Sequence, residues 1–111
     1  GNPAMAAQVD VLCSPAYRWL IKCDPSTWLS QVKCPMLALN GTLDCEVECE
    51  HNLTAIKRLV PHATVKRYEN LNHLFQASTD WPNSLQYATI QETLAPQVLI
   101  DIPDWIQHNL R

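Results

Sequence analysis

Three consecutive segments in the middle of the chain alternate between strand and helix patterns, and this alternation most constrains the fold. Residues 36–39 are a short uninterrupted apolar run, which is typical of a strand buried on both faces of a parallel sheet. Apolar residues recur at helical spacing over residues 46–60, and residues 63–69 alternate like a strand near a sheet edge. This order predicts an α/β fold built on a β-α-β unit with parallel strands.

Capping signals predict helices on both sides of this unit. Ser14-Pro15 and Asp24-Pro25 each place a capping residue before a proline, so two short helices are expected. Asn40-Gly41 indicates a turn, and residues 75–92 read as a loop-rich segment. A last helix is predicted from Pro96, with a kink or a break at Pro103, because an interior proline costs about 3 kcal/mol. Its expected buried positions are Val98, Leu99, Ile102, Trp105 and Ile106.

Composition narrows the class of partner. The chain has 111 residues, of which 47% are apolar and 17% charged, so it is long enough for one small globular domain. The net charge is −3, whereas nucleic acids and anionic membranes attract clustered basic residues. No apolar run reaches the roughly 18 residues of a membrane span. We therefore predict neither a nucleic acid nor a membrane as partner.

Asp44 and His73 are the candidate catalytic residues. Asp44 follows the first predicted strand in the motif N-G-T-L-D, and His73 follows the second in L-N-H-L-F-Q. In open parallel sheets, ligands bind beyond the carboxyl ends of the strands. The loops that follow two adjacent strands lie side by side there. Asp44 is therefore expected to accept a hydrogen bond from His73, as the acid and base of an acyl-transfer triad do. The plainer alternatives are that Asp44 only caps the following helix and that His73 is an ordinary loop residue.

The same motifs belong to a longer ordered match with one family. Its segments in chain order are Asp24-Pro25, C-P-M-L-A-L-N-G-T-L-D at 34–44, Asn52-Leu53, L-N-H-L-F-Q at 71–76, Glu92-Thr93, P-Q-V-L at 96–99 and D-W-I at 104–106. Over most of its length the chain resembles the C-terminal part of an α/β-hydrolase of the dienelactone-hydrolase or prolyl-oligopeptidase-related esterase subgroup. The resemblance implies a partial α/β-hydrolase fold, with a cap remnant and leading helices at 1–33 and a core segment at 34–111. It also implies that Asp44 and His73 belong to a Ser-His-Asp triad, which needs no cofactor.

The nucleophile of such a triad has no counterpart in this sequence. The family places its serine in G-x-S-x-G at a strand-to-helix elbow. None of the serines in the chain has that context; they are Ser14, Ser26, Ser30, Ser78 and Ser84. The oxyanion-hole loop of the family is also missing from this sequence. We therefore expect the chain to be the C-terminal fragment of a serine hydrolase acting on an ester, thioester or amide, and to be inactive alone. Tyr17, Trp19 and Trp28 are candidates for lining an acyl pocket, with simple packing as the alternative.

Two other functions fit parts of the sequence. Half of an α/β sheet exposes strand edges and apolar helix faces, so the chain is alternatively a non-catalytic interaction module that associates with itself. Cys45 and Cys49 are four residues apart, so they could share one side of a helix, and with His51 nearby they would offer a metal site, although zinc sites usually take paired ligands from two places. Free buried thiols are the simpler interpretation, and no metal is predicted.

Overall fold

A pair of parallel strands with helices around it forms the centre of the molecule. The computed structural model describes residues 1–79 and 86–110, with only the backbone for Gln86. The elements, in chain order, are helices α1 (Pro3–Leu12), α2 (Pro15–Lys22) and α3 (Ser26–Leu29), strand β1 (Leu37–Gly41), helix α4 (Cys49–Leu59), strand β2 (Thr64–Tyr68), a 3₁₀ turn (Gln86–Thr89) and helix α5 (Pro96–Asn109). The protein is therefore of the mixed α/β class.

The two strands are parallel, as the β-α-β pattern predicted. Leu37 lies opposite Thr64 and Gly41 opposite Tyr68 in the register. The turn predicted at Asn40-Gly41 is wrong in its position, because both residues lie in β1 and the chain turns only after them. Gly41 serves a different purpose, since a Cβ at this position would lie 2.1 Å from the carbonyl oxygen of Leu71. Glycine lets β1 approach the chain segment that follows β2.

Helix α2 begins at its expected cap, whereas the N-cap of α3 is Pro25, which makes no side-chain capping bond. The Ser14 hydroxyl accepts a hydrogen bond from the Tyr17 amide at the start of α2, and Asp24 accepts one from the Ser26 amide before α3. Helix α1 was not predicted, although Asn2 caps it in the same manner and Pro3 occupies its first position. The asparagine-proline signal at the start of the chain would have identified this helix.

Each face of the sheet packs against one helix. On one face Ala38 of β1 packs with Cys49 and Leu53 of α4. On the other face Tyr68 of β2 packs with Val98 of α5. Alternate side chains of a strand point to opposite faces, so the strands form the middle layer between α4 and α5. The strand at 36–39 was predicted to be buried on both faces, but Leu37 and Leu39 are only half-buried.

Helix α5 is held to the sheet by polar contacts as well as by Val98. The Asp101 carboxylate accepts a hydrogen bond from the Tyr68 hydroxyl at 2.7 Å and pairs with the Lys66 ammonium. The Trp105 indole donates to the Thr64 hydroxyl at 3.0 Å. The ion pair with Lys66, together with hydrogen bonds from Tyr68 and Gln97, lowers the pKa of Asp101 to about 2. These contacts fix the helix on the β2 side of the sheet.

The structure bears on two expectations for α5, and it contradicts a break at Pro103. The helix runs without a break from Pro96 to Asn109 across Pro103. A proline at this position removes the hydrogen bond to the carbonyl of residue 99, and the exposure of Leu99 leaves water to replace it. Leu99 and Ile106 were expected to be buried, but they are 54% and 40% exposed. The helix contacts the thin two-stranded sheet along a narrower stripe than the apolar pattern indicates.

The molecule is extended for its size. Its Cα radius of gyration is 17.1 Å, whereas about 13 Å is typical of a compact chain of this length. Its accessible surface is 8254 Å², against about 6,200 Å² for an ordinary folded monomer of its mass. Neither α1 nor α2 has a buried residue, and their exposed side chains include the apolar Met5, Val9, Trp19 and Ile21. Within residues 1–79 and 86–110, no helix is both long enough and apolar enough to cross a membrane.

Candidate active site at the carboxyl ends of the strands

Asp44 and His73 meet beyond the carboxyl ends of the two strands. Asp44 lies three residues after the end of β1, and His73 lies five residues after the end of β2. The Nδ1 atom of His73 is 2.9 Å from Oδ2 and 3.1 Å from Oδ1 of Asp44. The Leu43 amide donates to the Leu71 carbonyl oxygen at 2.9 Å, which joins the two loops just before these side chains. The parallel strands thus bring together two residues that are 29 positions apart in sequence.

The Asp44 carboxylate is buried and fully hydrogen-bonded. It is only 6% exposed, and its Oδ1 accepts from the amides of Glu46 and Val47 at 2.9 Å each. Its Oδ2 accepts from the Asn40 side-chain amide at 3.0 Å, and Asn40 in turn accepts from Asn52 at 2.6 Å. A buried carboxylate needs such donors, because it cannot be hydrated. The network leaves Asp44 no alternative orientation.

The alternative that Asp44 caps helix α4 is wrong. Asp44 shapes the turn at 45–47, but helix α4 begins at Cys49 and its N-cap is Glu48. The Glu48 carboxylate accepts from the amides of Glu50 and His51. Asp44 uses one oxygen for the turn and presents both to His73, so turn formation and pairing with the imidazole occur together.

The contact changes the proton affinity of both residues. The hydrogen bond to Asp44 raises the pKa of His73 above its usual value, partial burial opposes this, and the charges of Asp44 and Glu46 add to it. Burial works to raise the pKa of Asp44, but the hydrogen bonds from His73, Val47 and Glu46 outweigh it and lower the pKa. Asp44 is therefore ionised at neutral pH and favours a proton on Nδ1 of His73. In the neutral ring this leaves the free lone pair on Nε2, the nitrogen that does not contact Asp44.

The loop that carries His73 is held in an unusual conformation. Asn70 and Phe75 have φ values of 59° and 57°, in the left-handed region. This conformation is common for asparagine, but for a bulky residue it costs about 1 kcal/mol or more. The Phe75 ring packs edge-on against Tyr68, with centroids 6.1 Å apart. Asn72 is fully buried, and its side-chain oxygen accepts from the amides of Leu74 and Gln76.

The second nitrogen of His73 faces a carboxylate. Nε2 lies 3.6 Å from Oε2 of Glu46, a residue in the same turn as Asp44. Within residues 1–79 and 86–110, no serine, threonine or cysteine side chain forms a hydrogen bond with His73. Ser14 caps α2 and Ser30 donates to the Thr27 carbonyl oxygen, whereas Ser84 lies outside the described residues. In a triad the nucleophile would lie beside Nε2 of the histidine, and in this molecule Glu46 lies there.

The cysteines near this turn do not form a metal site with His51. Across the described ranges, no group of three or more His, Cys, Asp or Glu side chains is arranged to hold a metal ion. Cys49 is buried against Leu53, as expected of a packed free thiol, and burial raises its pKa. Cys45 lies 3.3 Å from the Tyr87 hydroxyl, and this contact raises the pKa of Tyr87. The metal interpretation of these residues finds no support.

The aromatic candidates for an acyl pocket lie on the leading helices. Tyr17 and Trp19 belong to α2 and Trp28 to α3. Trp19 and Trp28 are 63% and 56% exposed, and Tyr17 is half-buried. Simple packing in a core, which was the alternative interpretation, therefore does not describe the two tryptophans. Their exposed rings remain available to a ligand or to another protein surface.

Sequence reasoning identified the central pair but not the residues that support it. Glu46, Asn40 and Asn72 were assigned no role in the site, although each lies within four residues of Asp44 or His73. A short polar residue inside an apolar strand or next to a candidate base is a usable signal, because buried amides need partners. No family model, curated protein or solved structure matches this chain. The site is therefore interpreted from its own geometry.

Proposed function

We propose that Asp44 and His73 are the acid and base of a Ser-His-Asp triad, in the C-terminal part of an α/β-hydrolase fold. The observation that carries this proposal is the 2.9 Å contact between His73 Nδ1 and a buried, fully hydrogen-bonded Asp44 carboxylate. An ordinary loop histidine has no need of such a partner. The order of Asp44 and His73 along the chain and their place after parallel strands also support the proposal.

The proposed chemistry is hydrolysis of a small ester, thioester or amide. A serine hydroxyl at Nε2 of His73 attacks the acyl carbonyl while His73 takes its proton. His73 then passes this proton to the leaving group, and Asp44 stabilises the imidazolium and holds its orientation. A water molecule then gives a proton to His73 as it attacks the acyl-serine, which releases the acid and returns the proton to the serine oxygen. No cofactor takes part in these steps. Tyr17, Trp19 and Trp28 are proposed to contact the acyl group, and Trp19 and Trp28 are the more exposed of these three side chains.

The serine is proposed to come from outside these 111 residues. In support, His73 has no hydroxyl or thiol partner within the described part of the chain. The 111-residue protein alone is therefore expected to show no meaningful esterase activity. Turnover of p-nitrophenyl acetate by this chain, with loss of the activity in His73→Ala, would contradict this expectation.

The decisive experiment begins with the coding sequence upstream of Gly1. The proposal expects a G-x-S-x-G motif there. A chain that includes it is expected to react with a fluorophosphonate, which labels serines activated by a base. His73→Ala should slow labelling by about 100-fold or more, since general-base catalysis contributes at least that factor.

The matched control is His51→Ala, which removes an exposed histidine of α4. It should label at the wild-type rate. The proposal is wrong if no nucleophile motif lies upstream, or if His73→Ala labels as fast as His51→Ala. Circular dichroism of each variant separates loss of the base from loss of the fold.

Self-association is a second candidate function, favoured by the extended shape. The accessible surface exceeds that of a compact monomer by about 2,000 Å², whereas a standard interface takes about 800 Å² from each partner. Met5, Val9 and Val11 of α1 are exposed, and an apolar groove of about 390 Å³ lies along this helix. We propose a second copy of the chain as its occupant, because the surface needing cover is large and apolar.

Sedimentation velocity over a wide concentration range tests this association. The wild-type chain is expected to sediment as a dimer at high concentration. Val11→Glu should weaken the dimer by placing a charge in the apolar groove, whereas Thr54→Glu adds the same charge on α4 and should not. A strictly monomeric profile for the wild type contradicts the proposal.

A further inference from the structure

The imidazole of His73 lies between two carboxylates of one turn. Its Nδ1 is 2.9 Å from Oδ2 of Asp44, and its Nε2 is 3.6 Å from Oε2 of Glu46. The Glu46 amide donates to Asp44 at 2.9 Å, so the backbone that carries Glu46 is fixed relative to Asp44. The two side chains differ in freedom, because that of Asp44 is 6% exposed and that of Glu46 is 51% exposed. Only Glu46 can swing into water.

The contact with Glu46 favours one protonation state of the ring. A carboxylate only accepts hydrogen bonds, and both nitrogens of a histidine are donors only in the imidazolium. A general base requires the opposite state, with an unprotonated Nε2 directed at the nucleophile. Glu46 therefore stabilises the form of His73 that cannot act as a base.

We propose that Glu46 is a gate on His73, which holds the Nε2 proton of the imidazolium until a nucleophile displaces the Glu46 side chain into water. Release transfers the Nε2 proton to a water molecule or a buffer base and leaves a neutral ring with a free lone pair. An incoming hydroxyl then donates its hydrogen bond to Nε2. The nature of the displacing group rests on the proposed triad, whereas the hold on the proton rests only on the described geometry.

Among residues 1–79 and 86–110, Asp44 and Glu46 are the charged residues that act on the pKa of His73, and both come from the turn between β1 and α4. Cys45 and Tyr87 contact each other beside this turn, and the Tyr87 phenol, which is neutral at pH 7 in any case, has its pKa raised further by this contact. The sign of the pH dependence follows from the two carboxylates. His73 is protonated to a higher pH with Glu46 present than without it.

The test compares wild type with Glu46→Gln, which keeps the size of the side chain and removes its charge. The variant should lower the midpoint of the His73 NMR titration. Diethyl pyrocarbonate, which reacts with neutral imidazole, should modify His73 roughly two- to fivefold faster at fixed pH near neutrality, the range expected of an exposed ion pair. Peptide mapping distinguishes His73 from the exposed His51, His62 and His108.

Glu50→Gln is the control, because it removes the same charge from an exposed residue of α4. Its His73 midpoint and modification rate should match the wild type. An unchanged midpoint and rate in Glu46→Gln overturn the gate. The gate stands but the triad fails if Glu46→Gln shifts the midpoint while the longer chain is not labelled by fluorophosphonate. The triad stands without the gate if labelling depends on His73 and Glu46→Gln has no effect.

Discussion

Gly41→Ala is expected to destabilise the protein by about 3 kcal/mol or more and to separate Asp44 from His73. A Cβ at position 41 would lie 2.1 Å from the carbonyl oxygen and 2.6 Å from the carbonyl carbon of Leu71. Both are backbone atoms, so no side-chain rotation relieves the clash. The segment at Leu71 would have to move away from β1, and it leads directly to His73.

The measurement is urea unfolding of the variant together with the NMR titration of His73. Separation of the pair should return the His73 midpoint toward that of an unpaired histidine, which is lower than in the wild type. Gly1→Ala is a matched control, because a Cβ there meets nothing within 4 Å. Wild-type stability and an unchanged His73 midpoint in Gly41→Ala would contradict the close approach.

Asn72→Ala is expected to cost about 3 kcal/mol, because it leaves buried polar groups without partners. The Asn72 side-chain oxygen accepts from the amides of Leu74 and Gln76 at 2.9 and 3.0 Å. Its amide donates to the Gln76 side chain at 3.1 Å, and Asn72 has no exposed surface. Water cannot readily replace these contacts. The turn that follows His73 should loosen, and the imidazole should lose its fixed position beside Asp44.

Urea unfolding again supplies the free-energy difference, and the breadth of the His73 resonance reports the mobility of the ring. Asn109→Ala removes an exposed asparagine near the end of α5 and serves as the control. It is expected to change the stability by no more than about 0.5 kcal/mol. A cost below about 1 kcal/mol for Asn72→Ala would show that the loop does not depend on this side chain.

The fold was predictable where pattern and burial agree. The apolar run, the helical period and the alternating segment predicted β1, α4 and β2 in the right order, because each is decided by local side-chain spacing. Asn40-Gly41 was misplaced as a turn because a glycine needed for close approach has the same sequence signal as one needed for a turn. The exposure of Leu99 and Ile106 depends on how wide a sheet α5 covers, which spacing alone does not reveal.

The sequence predicted the pairing of Asp44 with His73 but not the contacts that surround this pair. Asp44 and His73 follow adjacent strands, so topology alone brought them near each other. The contact between Glu46 and His73 depends on the shape of the turn at 45–47, and the hold on His73 depends on left-handed conformations at Asn70 and Phe75. Such conformations arise from several tertiary contacts acting together, and no single residue type in the sequence specifies them.

The buried link between Asn40 and Asn52 has a consequence for producing the protein. Both residues begin N-x-T sequences, which are acceptor sites for N-linked sugars in the secretory pathway. In the folded chain Asn40 is 3% exposed, and its side chain bonds Asp44 and Asn52. A glycan added to the nascent chain at Asn40 would leave β1 no room to pack. Expression in a bacterial cytoplasm avoids this modification, whereas a secreting eukaryotic host exposes the chain to it before it folds.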